Sequence, residues 1–343
     1  MCQQDYNYIG LDVHKKTVAF CVKRADGKII SEGVIQAQKA ALQEWASQQV
    51  ESWDGCMEAT MFSGWIYDTL KPYANELKVG HPFRIEAISS AKKKSDRIDA
   101  SMLADLLRAN LFPEIYMAPP HLRDLRSLLR YRNLIVREST RMKNRLSCLL
   151  MECGVEYDSK RLHGKGYFEE LLKELEEVPE SVMLMLRMSR TSIESFKSAQ
   201  AMILKILMKD NALKKRVEYL MTIQGVGGTM ALTWACEIGE ISRFTSRKKL
   251  ISYCGLCGRL DESAGKRKRT PLSKQCNHHL QTMLIEVSKL APRYNIELAM
   301  VYDGEIGKGK NRNEATIAVA RKLVGYMFAV DREQRPFVVT KSS

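Results

Sequence analysis

The chain has 343 residues, 45% of them apolar, enough for two or three domains with buried cores and too many for a disordered protein. Its 54 Lys and Arg outnumber 40 Asp and Glu, and the net charge of +14 favours a polyanionic partner over an acidic or small neutral one. The opening Met1-Cys2-Gln3-Gln4-Asp5-Tyr6 has neither a basic segment nor a long apolar run, which argues against secretion. The longest charge-free stretch, Tyr219 to Cys236, is interrupted by Gln224, Gly225, Gly227 and Gly228, so it reads as a turn between buried helices and no membrane is expected. Nine scattered cysteines, an odd number, point to a reducing cytoplasmic compartment.

In chain order, Tyr6 to Asp12 reads as a first strand and Thr17 to Lys23 as a second. Asp26-Gly27 supplies a hairpin turn before a third at Ile29 to Ile35. Ala40 to Val50 has helical periodicity, with Leu42, Trp45 and Ala46 on one stripe, and Gly55-Cys56-Met57-Glu58 reads as a short buried strand. A helix through Trp65, Ile66 and Leu70 follows. Arg84 to Ile88 is a fifth strand candidate, and Asp96 to Ala109 is helical by its Ile98, Met102, Leu103, Leu106 pattern.

Three strands, helix, strand, helix, strand, helix is the order of a ribonuclease-H-like α/β fold. Asp12 then lies at the end of the central strand, Glu58 ends the next, and Asp96 and Asp99, at i and i+3, share one face of the last helix. Four carboxylates converging on one pocket repel unless a cation sits among them, and oxygen-only ligands favour Mg²⁺ or Mn²⁺ over zinc. Such a site orients phosphate in phosphoryl transfer. Singly, each acid also suits an ordinary strand end or the first turn of a helix, where the dipole favours negative charge.

After Pro119-Pro120, His121 to Met151 is helical and basic. Arg123, Arg126, Arg130, Arg132, Arg137, Arg141, Lys143 and Arg145 stand against Asp124 and Glu138, which fits either a solvated face or a phosphate-tracking surface. From Tyr167 to Leu220 the pattern stays helical, with a break at Pro179. The spacing of Met183, Leu186, Ile193, Phe196, Ala199, Ile203, Ile206 and Leu207 fits a helical hairpin, a coiled coil that dimerises, or a spacer. Gly225-Val226-Gly227 opens the next helix and presents backbone N–H groups as a helix-hairpin-helix turn does for a phosphate; a plain tight turn explains it too. Arg243 to Lys274 is the most basic segment. Within it Glu262-Ser263-Ala264-Gly265 reads as a small-residue loop followed by Lys266, Arg267, Lys268 and Arg269, a hydroxyl beside four cations able to neutralise a pentavalent phosphate. Cys254-x-x-Cys257 with Cys276, His278 and His279 offers zinc-like intervals, although Cys254 and Cys257 also suit an apolar helix end.

Several motifs together resemble one family over nearly the whole chain: Gly10-Leu11-Asp12, Met57-Glu58-Ala59-Thr60, Lys94-Ser95-Asp96-Arg97-Ile98-Asp99-Ala100, Ile223-Gln224-Gly225-Val226-Gly227, Ile238-Gly239-Glu240-Ile241-Ser242-Arg243-Phe244, Tyr253-Cys254-Gly255-Leu256 and Glu262-Ser263. They are similar to the DEDD transposases of bacterial insertion sequences in the IS110 family, relatives of the Piv pilin-gene invertases. The resemblance implies a RuvC-like DEDD domain over 1–115, a helical coiled-coil linker and dimerisation region over 116–218, and a helical transposase domain over 219–343. It also implies that Asp12, Glu58, Asp96 and Asp99 bind Mg²⁺, and that Ser263 is the nucleophile. The expected partners are target and donor DNA, a noncoding bridge RNA and further copies of the chain, with the active site assembled between subunits in a bacterial, nucleoid-associated setting. Phosphate and nucleic-acid contacts are expected at Gly225, Gly227, Arg123, Arg126, Arg130, Arg141, Lys266, Arg267, Lys268 and Arg269.

The sequence departs from the family pattern at Met61-Phe62-Ser63 before Gly64, at Ser273-Lys274-Gln275-Cys276 in place of Ser-Lys-x-Gly, and at Cys257-Gly258 in place of Thr-Pro or Val-Pro. Two rival readings remain open on the residues alone. One is a RuvC-like nuclease or junction resolvase that attacks with water; the other is a non-catalytic nucleic-acid-binding protein.

Overall fold

The computed structural model describes residues 6–88, 95–175, 178–263 and 266–338, and for residues 259–270 the backbone alone. It divides into two compact units between Pro120 and His121. The mixture expected from the sequence, an α/β region followed by a mostly helical one, is what the chain adopts.

The first unit runs β1 (Asn7–Val13), β2 (Thr17–Arg24), β3 (Ile29–Gln36), α1 (Lys39–Ser47), β4 (Trp53–Glu58), α2 (Ser63–Leu70), β5 (Glu76–Gly80), α3 (Pro82–Ile88), α4 (Asp96–Arg108) and β6 (Glu114–Ile115). Its six strands form one sheet in the order β3-β2-β1-β4-β5-β6. The β1–β2–β3 meander is antiparallel, β1–β4 and β4–β5 are parallel, and β6 closes the edge antiparallel to β5. Period-two alternation gives the sheet two different faces. Ile9, Leu11, Val13 and Met57 pack into a cluster with Leu42 and Ala46 of α1 and Ile66 and Leu70 of α2. Tyr8 and Cys56 point the other way, into a cluster with Ile85 of α3 and Leu103, Leu106 and Leu107 of α4.

Gly10 decides how closely α4 approaches. A Cβ there would stand 2.0 Å from the Ala100 carbonyl oxygen and 2.5 Å from the Ala104 nitrogen, so the helix backbone lies directly on β1. One expectation is corrected: Arg84 to Ile88 is helical, and the fifth strand lies earlier, at Glu76–Gly80. Pro82 at the first helical position favours α3, whereas alternating Leu77 and Val79 are buried in the ladder.

The second unit contains α5 (Pro120–Glu152), α6 (Lys165–Glu174), α7 (Glu180–Lys209), α8 (Asn211–Met221), α9 (Gly228–Ile238), α10 (Arg247–Tyr253), β7 (Gly258–Ser263), β8 (Lys266–Leu272), α11 (His278–Leu290), α12 (Ile296–Gly307) and α13 (Arg312–Glu333). Leu125, Leu129 and Ile135 near the start of α5 share a cluster with Ile203 and Leu207 at the end of α7. Leu146, Leu149 and Leu150 at the end of α5 share another with Leu186 and Ile193 near the start of α7. The two long helices therefore run antiparallel, and all of the stripe read from the sequence except Ile206 packs within the chain. The basic segment after α10 is a correction too. Glu262 and Ser263 belong to a β-hairpin whose register sets Asp261 opposite Lys268 and Glu262 opposite Arg267.

Candidate functional site

The parallel ladder between β1 and β4 has Leu11↔Met57 as its last pair. Asp12 and Glu58 are the next residues on each strand, still paired with Ala19 of β2 and Gly80 of β5, so both lie at the same end of the sheet. Asp12 is two residues beyond Gly10 and lies on the face that α4 covers. Because Ala100 to Ala104 sit over Gly10 and Lys23 pairs with Asp105 at 2.6 Å, α4 runs antiparallel to β1, and its first turn meets the end of that strand. Ser95 caps the helix, its hydroxyl accepting from the Ile98 N–H, and the two acids of the first turn are Asp96 and Asp99.

One residue that sequence reasoning passed over completes the cluster. His14 Nε2 lies 3.1 Å from Asp12 Oδ2 and 3.5 Å from Asp96 Oδ1, and the ligand atoms of Asp12, His14 and Asp96 all lie within 4.8 Å of one another. The available signal was the Asp-x-His spacing, which puts an imidazole one residue past the end of the strand that carries Asp12. Among the described residues no other three His, Cys, Asp or Glu side chains gather so closely. Glu58 and Asp99 stand outside that trio, although Asp99 still contributes its charge to the surroundings of Asp12.

Electrostatics mark Asp12 out. Burial pushes its carboxyl above the usual aspartate range, His14 pulls it back down, and the charges of Asp96 and Asp99 push it up again. Its side chain is 16% exposed, while Asp96 is 61% exposed, so the cluster is rooted at the sheet and open to solvent on the helix side. A divalent cation would relieve the mutual repulsion. The donors present, carboxylate oxygens and one imidazole nitrogen, suit a hard or borderline divalent ion.

In the second unit two of the expected phosphate contacts, Arg126 and Arg130, turn inward. Arg130 donates to both carboxylate oxygens of Glu237, at 2.7 and 2.8 Å, and Arg126 Nε donates to the Cys236 carbonyl at 3.0 Å. Glu237 is fully buried. Burial alone raises its carboxyl, but Arg130, Asn277 and Arg126 outweigh that and hold it below the ordinary glutamate range. Asn277 bonds Glu237 at 2.8 Å, caps α11 and donates its backbone N–H to the Tyr253 carbonyl, so this carboxylate ties α5 and α9 to α10 and α11, the helices that flank the β7–β8 hairpin. Arg141, by contrast, faces solvent and pairs with Glu138 one turn back. Arg123 is half-buried.

Gly225 has φ +93°, and a Cβ there would come within 3.0 Å of Ala291, which explains glycine at that position. Gly227 precedes α9 with open space where its Cβ would be, so the backbone is approachable at that helix start. Ser263 ends β7, paired with Lys266; its side chain and those of Lys266, Arg267, Lys268 and Arg269 lie outside the described residues, as do Lys94, Ala264 and Gly265 altogether. Cys276 Sγ lies 3.8 Å from His278 Nδ1, but Cys254, Cys257, Cys276 and His278 do not form a compact ligand group. Burial pushes the Cys254 thiol up, as expected of a cysteine acting as a small apolar residue. No helix among the described residues is long and apolar enough to cross a membrane.

An acid cluster at the end of an interior strand, with a basic helical unit in the same chain, is an arrangement suited to phosphoryl transfer on nucleic acid. Residues 9–154 match the DEDD transposase family of the IS110 group, and residues 217–303 match the transposase family described as IS116/IS110/IS902. The putative transposase y4qE of Sinorhizobium fredii is 24% identical over 96% of this chain and 89% of its own length. The transposase for insertion sequence element IS1111A of Coxiella burnetii is 24% identical over 97% of the chain and 92% of its length. The pilin gene-inverting protein of Moraxella bovis is 32% identical over 36% of the chain and 39% of its length. The chain belongs to the IS110 family of transposases.

Proposed function

We propose that this transposase cuts and rejoins DNA through a covalent phosphoserine link formed by Ser263, with the acids of a ribonuclease-H-like, RuvC-type domain holding the divalent cation the reaction needs. The observation that carries the reading is the convergence of Asp12 and Asp96, with Asp12 pushed upward by burial and by its acidic neighbours. Asp12, Glu58, Asp96 and Asp99 would hold Mg²⁺ or Mn²⁺. When bound, that ion neutralises charge on the scissile phosphate.

The chemistry assigned to the chain's own groups balances. The Ser263 hydroxyl oxygen bonds to phosphorus and gives up its proton, and the 3′ oxygen of the cut strand leaves and takes one. A 3′ hydroxyl of another strand then attacks the phosphoserine phosphorus and releases the serine. Lys266, Arg267, Lys268 and Arg269, adjacent to Ser263 in the hairpin sequence, would neutralise the pentavalent phosphate. Gly225, Gly227, Arg123 and Arg141 would contact backbone phosphates, whereas Arg126 and Arg130 would act through Glu237 to hold the hairpin base. The surplus of positive charge supports a reading in which target and donor DNA are joined under the guidance of a noncoding bridge RNA by a dimer or larger assembly. The functional division is then a DEDD domain over 1–115, a helical dimerisation region over 116–218 and a serine-bearing domain over 219–343.

The test is a denaturing gel of DNA recombined by the full chain with its RNA and substrates. Protein-linked DNA should form with the wild type and vanish with Ser263→Ala. Cleavage retained by Ser263→Ala would instead identify a RuvC-type nuclease attacking with water. Binding without any strand cleavage in the wild type would leave only the nucleic-acid-binding reading.

A further inference from the structure

The β1–β2 turn places an imidazole where the sequence pattern supplies only carboxylates. The His14 N–H donates to the Thr17 carbonyl at 2.9 Å, closing the turn directly after the Val13↔Val18 pair, so the His14 backbone is fixed by the meander. His14 follows the strand by one residue, and its ring lies beside Asp12. A single nitrogen, Nε2, faces both Asp12 Oδ2 at 3.1 Å and Asp96 Oδ1 at 3.5 Å. One ring N–H cannot point well at two carboxylates at once, whereas a ring lone pair and two carboxylate oxygens can converge on one cation.

The spacing is that of ligands around a small ion. Octahedral ligands at about 2.1 Å from a cation stand about 3.0 Å apart when adjacent and about 4.2 Å apart when opposite. The observed separations of 3.1 and 3.5 Å from His14 Nε2 to the two carboxylates are close to the adjacent value. The His14 side chain is 51% exposed, so the position keeps an open side toward solvent.

We infer that His14 is a nitrogen ligand of the cation site and that it tilts the site from Mg²⁺ toward Mn²⁺. This rests on the reading of Asp12 and Asp96 as cation ligands. A hard ion such as Mg²⁺ gains little from imidazole and prefers oxygen, whereas first-row transition ions accept nitrogen readily. The imidazole stands between the strand-borne Asp12 and the helix-borne Asp96, so all three donors face the same position.

The experiment titrates the full-length protein with Mn²⁺ alone, following free Mn²⁺ by electron paramagnetic resonance and bound Mn²⁺ by pulsed measurement of nitrogen coupling. Bound Mn²⁺ should show histidine nitrogen coupling in the wild type. His14→Ala should lose that coupling and weaken Mn²⁺ binding about tenfold or more, with Mg²⁺ competition changed less. His14→Gln, which keeps side-chain bulk, should behave likewise, and circular dichroism melts of both variants confirm folding. Bound Mn²⁺ without nitrogen coupling, at an affinity unchanged in both variants, would overturn the assignment of His14. Asp12→Asn separates that failure from the larger one: if it too binds Mn²⁺ as the wild type does, the cation site itself is misplaced.

Discussion

Asp12 and Glu237 are both carboxylates withdrawn from water, and the two units treat them in opposite ways. Glu237, fully buried, receives two charge-assisted bonds from Arg130, one bond from Asn277 and the nearby charge of Arg126, so its charge is compensated from within the fold. Asp12 is surrounded by Asp96 and Asp99 with one imidazole for relief, and its carboxyl is pushed up where that of Glu237 is held down. A fixed guanidinium partner makes a carboxylate a brace. A shortage of positive charge makes one a receptor for a cation that the chain does not itself supply.

Breaking the compensated member should have the largest effect. Glu237→Gln leaves Arg130 and Arg126 without their carboxylate and should destabilise the second unit by about 3–5 kcal/mol in denaturant unfolding. A loss below about 1 kcal/mol would mean that the pair is not a brace. The sign of its pH dependence follows from the lowered carboxyl. Its contribution is present above the ordinary glutamate range and is lost as pH falls through the folded-state value, so the variant should show a shallower loss of stability on acidification than the wild type.

At the uncompensated member, Asp12→Asn should lower strand transfer by roughly a hundredfold or more, about 3 kcal/mol of transition-state stabilisation, with DNA binding retained in a mobility-shift assay. Gly10→Ala comes next. The added Cβ meets backbone atoms of α4 at 2.0 and 2.5 Å, so the helix must move, at a cost near the top of the about 1–3 kcal/mol usual for overpacking. Because α4 carries Asp96 and Asp99, the same change should weaken cation binding measured by calorimetry. Unaltered binding would show that the first turn of α4 does not depend on contact with β1.

The smallest effect sharpens the contrast. Without divalent ions, Asp12→Asn should raise the melting temperature, because it removes a partly desolvated charge beside two others; Mn²⁺ should raise it in the wild type and leave the variant unchanged. A lower melting temperature for the ion-free variant would place Asp12 with Glu237 as a structural acid.

The alternation of β1, the short apolar runs of β2 and β4 and the helical stripe of α4 are legible in the sequence, because each is a local property of the chain. The i, i+3 spacing put Asp96 and Asp99 on one face, and strand ends put Asp12 and Glu58 at one end of the sheet. Arg84 to Ile88 was misread because a short apolar run fits either element, and only its flanking Pro82 favours a helix.

His14, Arg130 and the β7–β8 hairpin needed tertiary structure. The partner of Arg130 lies 107 residues away in Glu237, so composition counted a free cation where the fold has a buried pair. His14 becomes a site residue only once α4 crosses β1 and brings Asp96 to the end of the strand. The linear order of residues therefore determined which elements form and which faces they bury, since each depends on neighbours a few positions away. Which charges meet was decided by how helices land on the sheet and on one another, because electrostatic partners are chosen by distance in space.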